Sequence, residues 1–297
     1  MIKAHKIRLN PTPEQAQYFT KAAGTARFCY LANDRFEVGD HWVDISKLGR
    51  VNMAEKLRFS GKILSARISK TASWWFISIT VELVDKPVES QPLPPVGIDV
   101  GLNRLATLST GRQFENQKPL RTLLKHLRQA NKRLARRIKG SKNWYKAKEK
   151  LARLHSRVAC AREDLLHKLT TEIATTYGFV GVESLHVKGL MQNRKLALSF
   201  SDAALGRLLT LLTSKVTSVG GTVVKVDRFF PSSQLCHQCG WRWEEITLAD
   251  RIFVCQHPQC RWQGDRDVNA ALNILNEALR LVGQIDQVVS AVAATTP

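Results

Sequence analysis

Between Val96 and Asp227 short apolar runs alternate with long helical stretches, and this alternation restricts the fold more than any other feature of the chain. The run "VGIDVGLNRLATLSTG" (96–111) reads as two adjacent strands joined by a tight turn at Gly101–Asn103 and closed by a second turn at Thr110 and Gly111. A helical region from Lys118 to Tyr177 follows, then the apolar "FVGVES" (179–184), the helical "SDAALGRLLTLLTSKVTSVGG" (201–221) and the apolar "TVVKVD" (222–227). Strands that alternate with helices argue for an α/β domain. Ligands of such a domain bind beyond the carboxyl ends of its strands.

Acids stand at those ends. Asp99 closes "VGID", Glu183 closes "FVGVE", and Asp267 lies where the final helical pattern begins. Taken singly, each is a helix cap or a surface charge. Three carboxylates that converge from distant positions can instead hold two divalent ions that activate water and stabilise the leaving oxygen of a phosphodiester. In "GDRDVNAALNIL" (264–275) two acids flank Arg266, and capping is the ordinary role for an Asp just before or inside the first turn of a helix.

The first segment differs in character. "RLNPTPEQAQYFTKAAGTARFCYLANDRF" carries capping-box spacing at Thr12 and Gln15 with Pro13 at the first helical position, so a short strand followed by one or two helices is expected. Further on, "SWWFISITVEL" sets Trp75, Ile77, Ile79 and Val81 against Phe76, Ser78, Thr80 and Glu82, the period of a half-buried strand. The segment from Val84 to Pro95, with Pro87, Pro92, Pro94 and Pro95, fits neither a helix nor a central strand and marks a domain boundary.

Forty-five Lys and Arg against 25 Asp and Glu give a formal net charge of +20, which suits a polyanionic partner whose counterions are released on binding. Nucleic acid fits. An anionic membrane surface is the alternative, and no amphipathic terminal segment with a basic face supports it. No run of about 18 uninterrupted apolar residues occurs, and "MIKAHKIRLN" is charged where a secretory signal is apolar, so a cytoplasmic protein with no membrane partner is expected. Positive charge is densest in "KHLRQANKRLARRIKGSKNWYKAKEKLARLHSRVACARE" (125–163), which fits two antiparallel helices broken at Gly140 and Ser141. Its apolar positions are Leu127, Leu134, Ile138, Leu151 and Leu154. A solvated helix face normally mixes signs, and acids are scarce here, so Lys125, Arg128, Lys132, Arg133, Arg136, Arg137, Lys146, Arg153 and Arg157 are expected to face phosphates.

Of six cysteines, Cys29 and Cys160 stand alone in helical patterns and read as packing residues. The others form two pairs, Cys236 and Cys239 in "CHQCGW" and Cys255 and Cys260 in "CQHPQC", the spacing of two knuckles around one tetrahedral zinc. Disulfides are the alternative, which nothing in the chain favours. The second pair is wider than the first, and His237 and His257 are nearby as substitute ligands, which leaves Cys260 the weakest assignment. Four thiolates leave no open position for water, so this zinc is structural.

In this order, "GIDVGLNRLATLSTG", "GVESLHVKGL", "RFFPSSQLCHQCGW" and "DRDVNAALNIL" closely resemble the transposon-encoded TnpB (OrfB) family, relatives of the type V CRISPR effector nucleases. The resemblance runs from Val96 to about Leu279. "KAHKIRLNPTPEQ" and "GKILSARISKTASWWFISITVEL" resemble, less strongly, that family's N-terminal β-barrel and the end of its recognition region. The resemblance implies an α/β, RNase H-like (RuvC) nuclease domain over 96–297 that includes the basic helical pair 118–177 and an inserted zinc ribbon at 232–264. Ahead of it would lie a small mixed N-terminal β-barrel and helical domain over 1–84, with a truncated helical recognition region, and a Pro-rich linker at 85–95. A bound guide RNA and cleavage of the DNA target paired to it are implied, with two Mg2+ ions. Asp99 matches the first catalytic Asp, Glu183 the Glu and Asp267 the last Asp, while Asp265 keeps a capping or turn role and Arg266 faces nucleic acid. Cys236, Cys239, Cys255 and Cys260 match the zinc ligands.

The chain departs from that family where a long helical recognition region is usual. Only residues 33–57 bridge the interval, and Gly264 stands where His is common. An RNA-guided endonuclease is the leading reading. A non-cleaving nucleic-acid-binding regulator of transposition or transcription is the second, and it expects the loss of one of the three acids. A guide-independent, structure-selective RuvC nuclease is the third, favoured by the short interval. A duplex of about 20 base pairs is normally held between two lobes, so engagement is expected to need a partner subunit, a homodimer or a structured RNA.

Overall fold

The computed structural model describes residues 2–23, 28–32, 35–83, 93–247 and 249–294. The chain opens with β1 (Ile2–Asn10) and α1 (Pro13–Ala23) and continues through β2 (Phe28–Ala32), β3 (Phe36–Val38), β4 (Trp42–Ile45), β5 (Gly49–Met53), β6 (Lys62–Thr71) and β7 (Trp74–Glu82). These strands form one antiparallel sheet in the order β2-β6-β7-β1-β5-β4-β3. Alternation sorts the side chains, with Ile7, Leu9, Ile68, Ile77, Ile79 and Val81 buried on one face. Phe19 of α1 joins that core against Trp75, their rings 5.2 Å apart. The capping box closes as its spacing predicts: Gln15 N–H donates to Thr12 Oγ1 at 3.3 Å and Thr12 N–H to Gln15 Oε1 at 3.0 Å.

Two expectations for this segment are corrected. Where a second helix was an option the chain enters strand β2, and residues 36–53, in the interval read as a truncated helical region, are the strands β3 to β5 paired onto β1.

A second sheet is built from β8 (Pro95–Asp99), β9 (Arg104–Leu108), β10 (Gln113–Glu115), β11 (Phe179–Glu183) and β12 (Thr222–Val226), ordered β10-β9-β8-β11-β12. β8, β11 and β12 are parallel, while β9 and β10 run antiparallel as a meander. Between them come α2 (Pro119–Ala135), α3 (Lys142–Thr176), α4 (Val187–Gln192), α5 (Ala197–Ala203) and α6 (Leu205–Ser218). A two-stranded hairpin, β13 (Ile252–Val254) and β14 (Gln263–Asp265), leads directly into α7 (Arg266–Ala294). One face of the sheet packs its apolar side chains with Leu166, Leu169 and Ile173 of α3 and Leu208 and Leu212 of α6.

The other face takes α7 at very short range, and two glycines permit it. A Cβ on Gly97 would collide with the carbonyl oxygen of Ala271 and come within 2.7 Å of Leu275 N, and one on Gly181 would lie 2.8 Å from Ala278 Cβ. Both strands are therefore covered on both sides.

The break between α2 and α3 falls where the sequence places it. Gly140 has φ +87, a left-handed turn that favours glycine, and Ser141 Oγ accepts Trp144 N–H at 3.1 Å to cap α3. Pro119 opens α2, whose free N–H groups at Leu120 and Arg121 donate to the carboxylate of Asp202 at 2.9 and 3.0 Å. The chain divides into two compact units, Met1–Pro87 with Leu123–Ala159, and Val88–Thr122 with Cys160–Pro297. Most of the basic helical stretch thus groups with the N-terminal unit, whereas a linear division puts it after the linker. Residues 85–92 of that linker lie outside the described residues. Cys160, expected to pack, is exposed on α3; Cys29 lies in β2, in a strand where a helix was expected.

Candidate active site and metal centre

Register brings the first two acids together. Val182 of β11 pairs in parallel with Ile98 of β8, so Glu183 and Asp99, one residue further on each, leave the same end of neighbouring strands. Parallel strands lie about 4.8 Å apart. The third acid is set by α7. Ala271 sits over Gly97, and Asp267 is one helical turn before Ala271 while Asp99 is two residues beyond Gly97. Four helical residues rise about 6 Å and two strand residues about 6.6 Å, so Asp267 arrives over Asp99.

Charge crowding follows from this placement. Burial, together with the carboxylates of Asp267 and Glu183, pushes the Asp99 carboxyl up to about 7. Burial raises Glu183 as well. A cation placed among these carboxylates favours their ionised form, so its binding releases the Asp99 proton to solvent. A cleft of about 720 Å³ opens over the three acids.

Asp265 has a different task. Its Oδ1 accepts the N–H groups of Asp267 at 2.9 Å and Val268 at 3.2 Å, capping α7, while its Oδ2 accepts Arg104 Nη1 at 2.7 Å. Burial alone would raise its carboxyl, but Arg104 and the Val268 and Asp267 amides outweigh burial and hold it below its ordinary value. Arg104 Nη1 is also 3.7 Å from Asp267 Oδ2, and this second role was not read from the sequence. Arg266, expected to face nucleic acid, is 9% exposed. It turns Nη1 onto the Thr247 carbonyl at 2.8 Å and Nη2 toward Asp267 at 3.4 Å. It is a buried counter-charge beside the acids.

The hairpin next to α7 carries Cys255 and Cys260, and a turn ahead of it, closed by the Leu235–Arg242 bridge, carries Cys236 and Cys239. Knuckle hydrogen bonds from Gly240 N–H to the Cys236 carbonyl at 2.8 Å and from Cys260 N–H to the His257 carbonyl at 3.0 Å fold each pair back on itself. The sulfurs of Cys236, Cys239, Cys255 and Cys260 all lie within 4.8 Å of one another, with Cys236 to Cys260 at 3.8 Å and Cys239 to Cys255 at 3.5 Å. Tetrahedral sites with ligands at about 2.3 Å have edges near 3.8 Å, so four sulfur donors fit one metal ion. Cys260, the weakest assignment by spacing, is in the set and neither histidine is. Burial pushes the Cys255 thiol up to about 12, a cost that a bound cation offsets. Phe253 is fully buried among Trp241, Trp243 and Trp262, so the ribbon has a small aromatic core.

Two asparagines join this ribbon to α7, and the sequence reading passed over both. Asn269 is fully buried. Its Oδ1 accepts His237 N–H at 3.0 Å and its Nδ2 donates to the Leu235 carbonyl at 2.6 Å. Asn273, one turn on, donates to the carbonyls of Ser232 at 2.9 Å and Leu235 at 2.6 Å. Their i, i+4 spacing on a helix that starts at an acid was the available signal.

The basic residues of the helical pair, Lys125, Arg128, Lys132, Arg133, Arg136, Arg137, Lys146, Arg153 and Arg157, are all exposed. Arg153 pairs with Glu149 at 2.7 Å and donates to Ser73 at 2.9 Å. Arg133, Arg137, Lys146 and Lys150 line a groove of about 220 Å³ between the helices. Among the described residues no helix is long and apolar enough to cross a membrane.

Comparison with known proteins gives three family matches: "Probable transposase" (OrfB_IS605) over residues 78–194, "Cas12f1-like, TNB domain" over 206–274, and "Helix-turn-helix domain" (HTH_OrfB_IS605) over 1–30. A Streptomyces pristinaespiralis protein named "Putative RNA-guided DNA endonuclease" is 40% identical over 208 residues, covering 70% of this chain and 51% of its own. "Putative RNA-guided DNA endonuclease InsQ" of Escherichia coli K12 is 30% identical over 273 residues, covering 86% of this chain and 67% of its own. The chain thus spans about half the length of the first of these relatives and two thirds of the second. Among solved structures, a Cas12f1–sgRNA–target DNA complex aligns with TM-score 0.44 at 18% identity, over 84% of this chain and 67% of that one.

Proposed function

The chain belongs to the TnpB (OrfB) family, and from that premise we propose that it is a transposon-associated, RNA-guided DNA endonuclease that hydrolyses phosphodiesters at a RuvC-type site made of Asp99, Glu183 and Asp267. The observation that carries the reading is the convergence of these acids, from two adjacent strand ends and the first turn of α7, in one cleft where Asp99 is pushed up to about 7. The sheet order, a three-stranded antiparallel meander followed by two parallel strands, fits the RNase H-like domain that the resemblance implies. Divalent cations such as Mg2+, when bound there, supply an activated water and stabilise the leaving oxygen. The chain's own residues do the positioning. Glu183 and Asp99 are fixed by strand register, Asp267 by the Asp265 cap, and Arg104 and Arg266 temper the repulsion among the acids. The four thiolates would hold one structural zinc. The exposed basic helices would take guide RNA and target phosphates.

The test is plasmid cleavage with Mg2+ by the full chain bound to its copurifying RNA. Asp99→Ala, Glu183→Ala and Asp267→Ala should each lower the rate at least about a thousandfold with nucleic-acid binding within threefold of wild type, because the acids act as one unit. Asp265→Asn, which can still cap a helix, should stay within about tenfold. A dead Asp265→Asn beside an active Asp267→Ala reverses the assignment. A second reading, guide-independent cleavage, is favoured by β3 to β5 standing where a helical recognition region was expected. It predicts undiminished cutting after the RNA is removed.

A further inference from the structure

One aromatic ring projects from the wall of the acid cleft. Phe229 follows β12 on the loop toward the first cysteine pair, lines the cleft and is 76% exposed. A single exposed ring is ordinary on a protein surface, and what sets Phe229 apart is its place in the acid cleft with guanidinium groups around it. The loop beneath is firmly held. Asp227 Oδ1 accepts Phe229 N–H at 2.8 Å, the Asp227 carbonyl accepts Phe230 N–H at 3.1 Å, and the Phe230 carbonyl accepts Ser232 N–H at 2.8 Å. Phe230 packs inward against Val226, Ile274 and Ala278, so anchoring one ring presents the other. The guanidinium of Arg228 lies 4.4 Å from the Phe229 centroid, and exposed Arg242 and Arg251 line the same cleft.

We propose that Phe229 is a stacking platform for an unpaired nucleobase, and that Arg228, Arg242 and Arg251 hold the phosphates of that single strand as it enters the carboxylate cleft. A phenyl ring offers a base only its face, and base faces are free in a single strand but taken by neighbours in a duplex. Stacking of this kind tolerates any sequence. The Arg228 guanidinium lies over one face of the ring, so a base stacks on the other face while the guanidinium adds charge for the backbone. The site therefore selects single strands over duplex, whatever their sequence, and delivers their backbone to Asp99, Glu183 and Asp267. The delivery role rests on the nuclease reading, whereas the binding role does not.

Binding is measured with the full-length Asp99→Ala protein without added Mg2+, using a dT 15-mer and a 15-base-pair duplex. Adding Phe229→Ala should weaken the single strand about tenfold with an unchanged salt slope and leave the duplex within twofold, and Phe229→Trp should restore the single strand. Arg228→Gln should lower the single-strand salt slope by about one. A strand carrying 5-iododeoxyuridine should photocrosslink to Phe229. Unchanged single-strand affinity in Phe229→Ala overturns the proposal, as does equal loss for both ligands or a crosslink map without residue 229. So does loss of self-association with strand binding intact, which would make the ring a protein contact. Plasmid cleavage by the wild type is scored separately: no cleavage with Phe229-dependent binding removes the nuclease reading and leaves the platform, and the converse removes only the platform.

Discussion

In the seven-stranded sheet, β7 alternates buried Trp75, Ile77, Ile79 and Val81 with half-buried Trp74, Phe76, Ser78 and Thr80. In the five-stranded sheet, β8 and β11 run Val96-Gly97-Ile98 and Val180-Gly181-Val182 with every residue buried. An antiparallel sheet with one solvated face can place polar groups anywhere along that face. A parallel sheet covered on both sides offers only its rim. This explains why the acids of the second sheet are its strand-terminal residues and why glycines, not polar side chains, stand two positions before each. The polar residues of the first sheet are spread along its strands, and among the described residues no three acids of that sheet converge in the same way.

The comparison breaks most sharply at Gly97. Gly97→Ala puts a methyl into the backbone of α7, which cannot yield as a side-chain tip would, and we expect a loss of about 3–5 kcal/mol in urea unfolding of the full chain. A variant within about 1 kcal/mol of wild type would show that α7 does not lie tightly on β8.

Next comes pH. Asp99 binds its proton up to about pH 7 in the folded chain but only to about pH 4 when unfolded. Between those values the folded state holds more protons, so the metal-free site loses stability as pH rises from about 4 to 7 and is level above. Asp99→Asn should remove that loss and so stabilise the metal-free protein by roughly 4 kcal/mol more at pH 8 than at pH 4. Thermal unfolding across this range checks it, and an unchanged pH dependence would mean that Asp99 is ionised throughout.

Much of this contrast is legible in the sequence. Alternation in "SWWFISITVEL", the cap at Thr12 and Gln15, the break at Gly140 and the knuckle cysteines are local signals, set by periodicity or turn chemistry over a few residues. Asp99 and Glu183 are legible because each closes an apolar run. What stays hidden is long-range pairing. Arg104 meets Asp265 across 161 residues, and Asn269 meets Leu235 across 34. Arg266 reads as an exposed charge until Thr247 and Asp267 are seen around it. β3 to β5 are three to five residues long, with Glu37, Asp44, Arg50 and Asn52 interrupting the apolar pattern, too short for periodicity to declare a strand.

Asn269 sharpens the contrast at the rim, since the residue that follows Asp267 by two ties the metal ribbon to the sheet's helix. Asn269→Ala leaves the His237 amide unpaired, while the Leu235 carbonyl keeps Asn273, and should cost about 1–2 kcal/mol. If the four thiolates hold one zinc as proposed, its content should be unchanged in this variant while amide exchange speeds up in residues 266–270. Loss of zinc in this variant would mean that the asparagine supports the metal site and not the reverse. Chelating a metal held by the four thiolates would protonate them and should loosen the same residues, because Asp265 and Asp267 follow directly from the hairpin that carries Cys255 and Cys260.

The smallest effect belongs to the open face of the first sheet. Ser78 of β7 lies opposite Lys6 of β1 and Arg67 of β6, and next along that face Lys6 Nζ is 4.5 Å from the Phe76 ring and Arg8 is 5.6 Å from Trp74. Long basic stems over aromatic rings cover apolar surface while their charges stay in water. A β-branched residue at Ser78 gains strand preference and loses no buried hydrogen bond, so Ser78→Val should change stability by less than about 0.5 kcal/mol in the same urea measurement used for Gly97→Ala. Both substitutions enlarge a small residue within a strand with apolar groups. If Ser78→Val proved as costly as Gly97→Ala, the outer face of the first sheet would be covered like the second, and the rim would no longer be what sets the acid-bearing sheet apart.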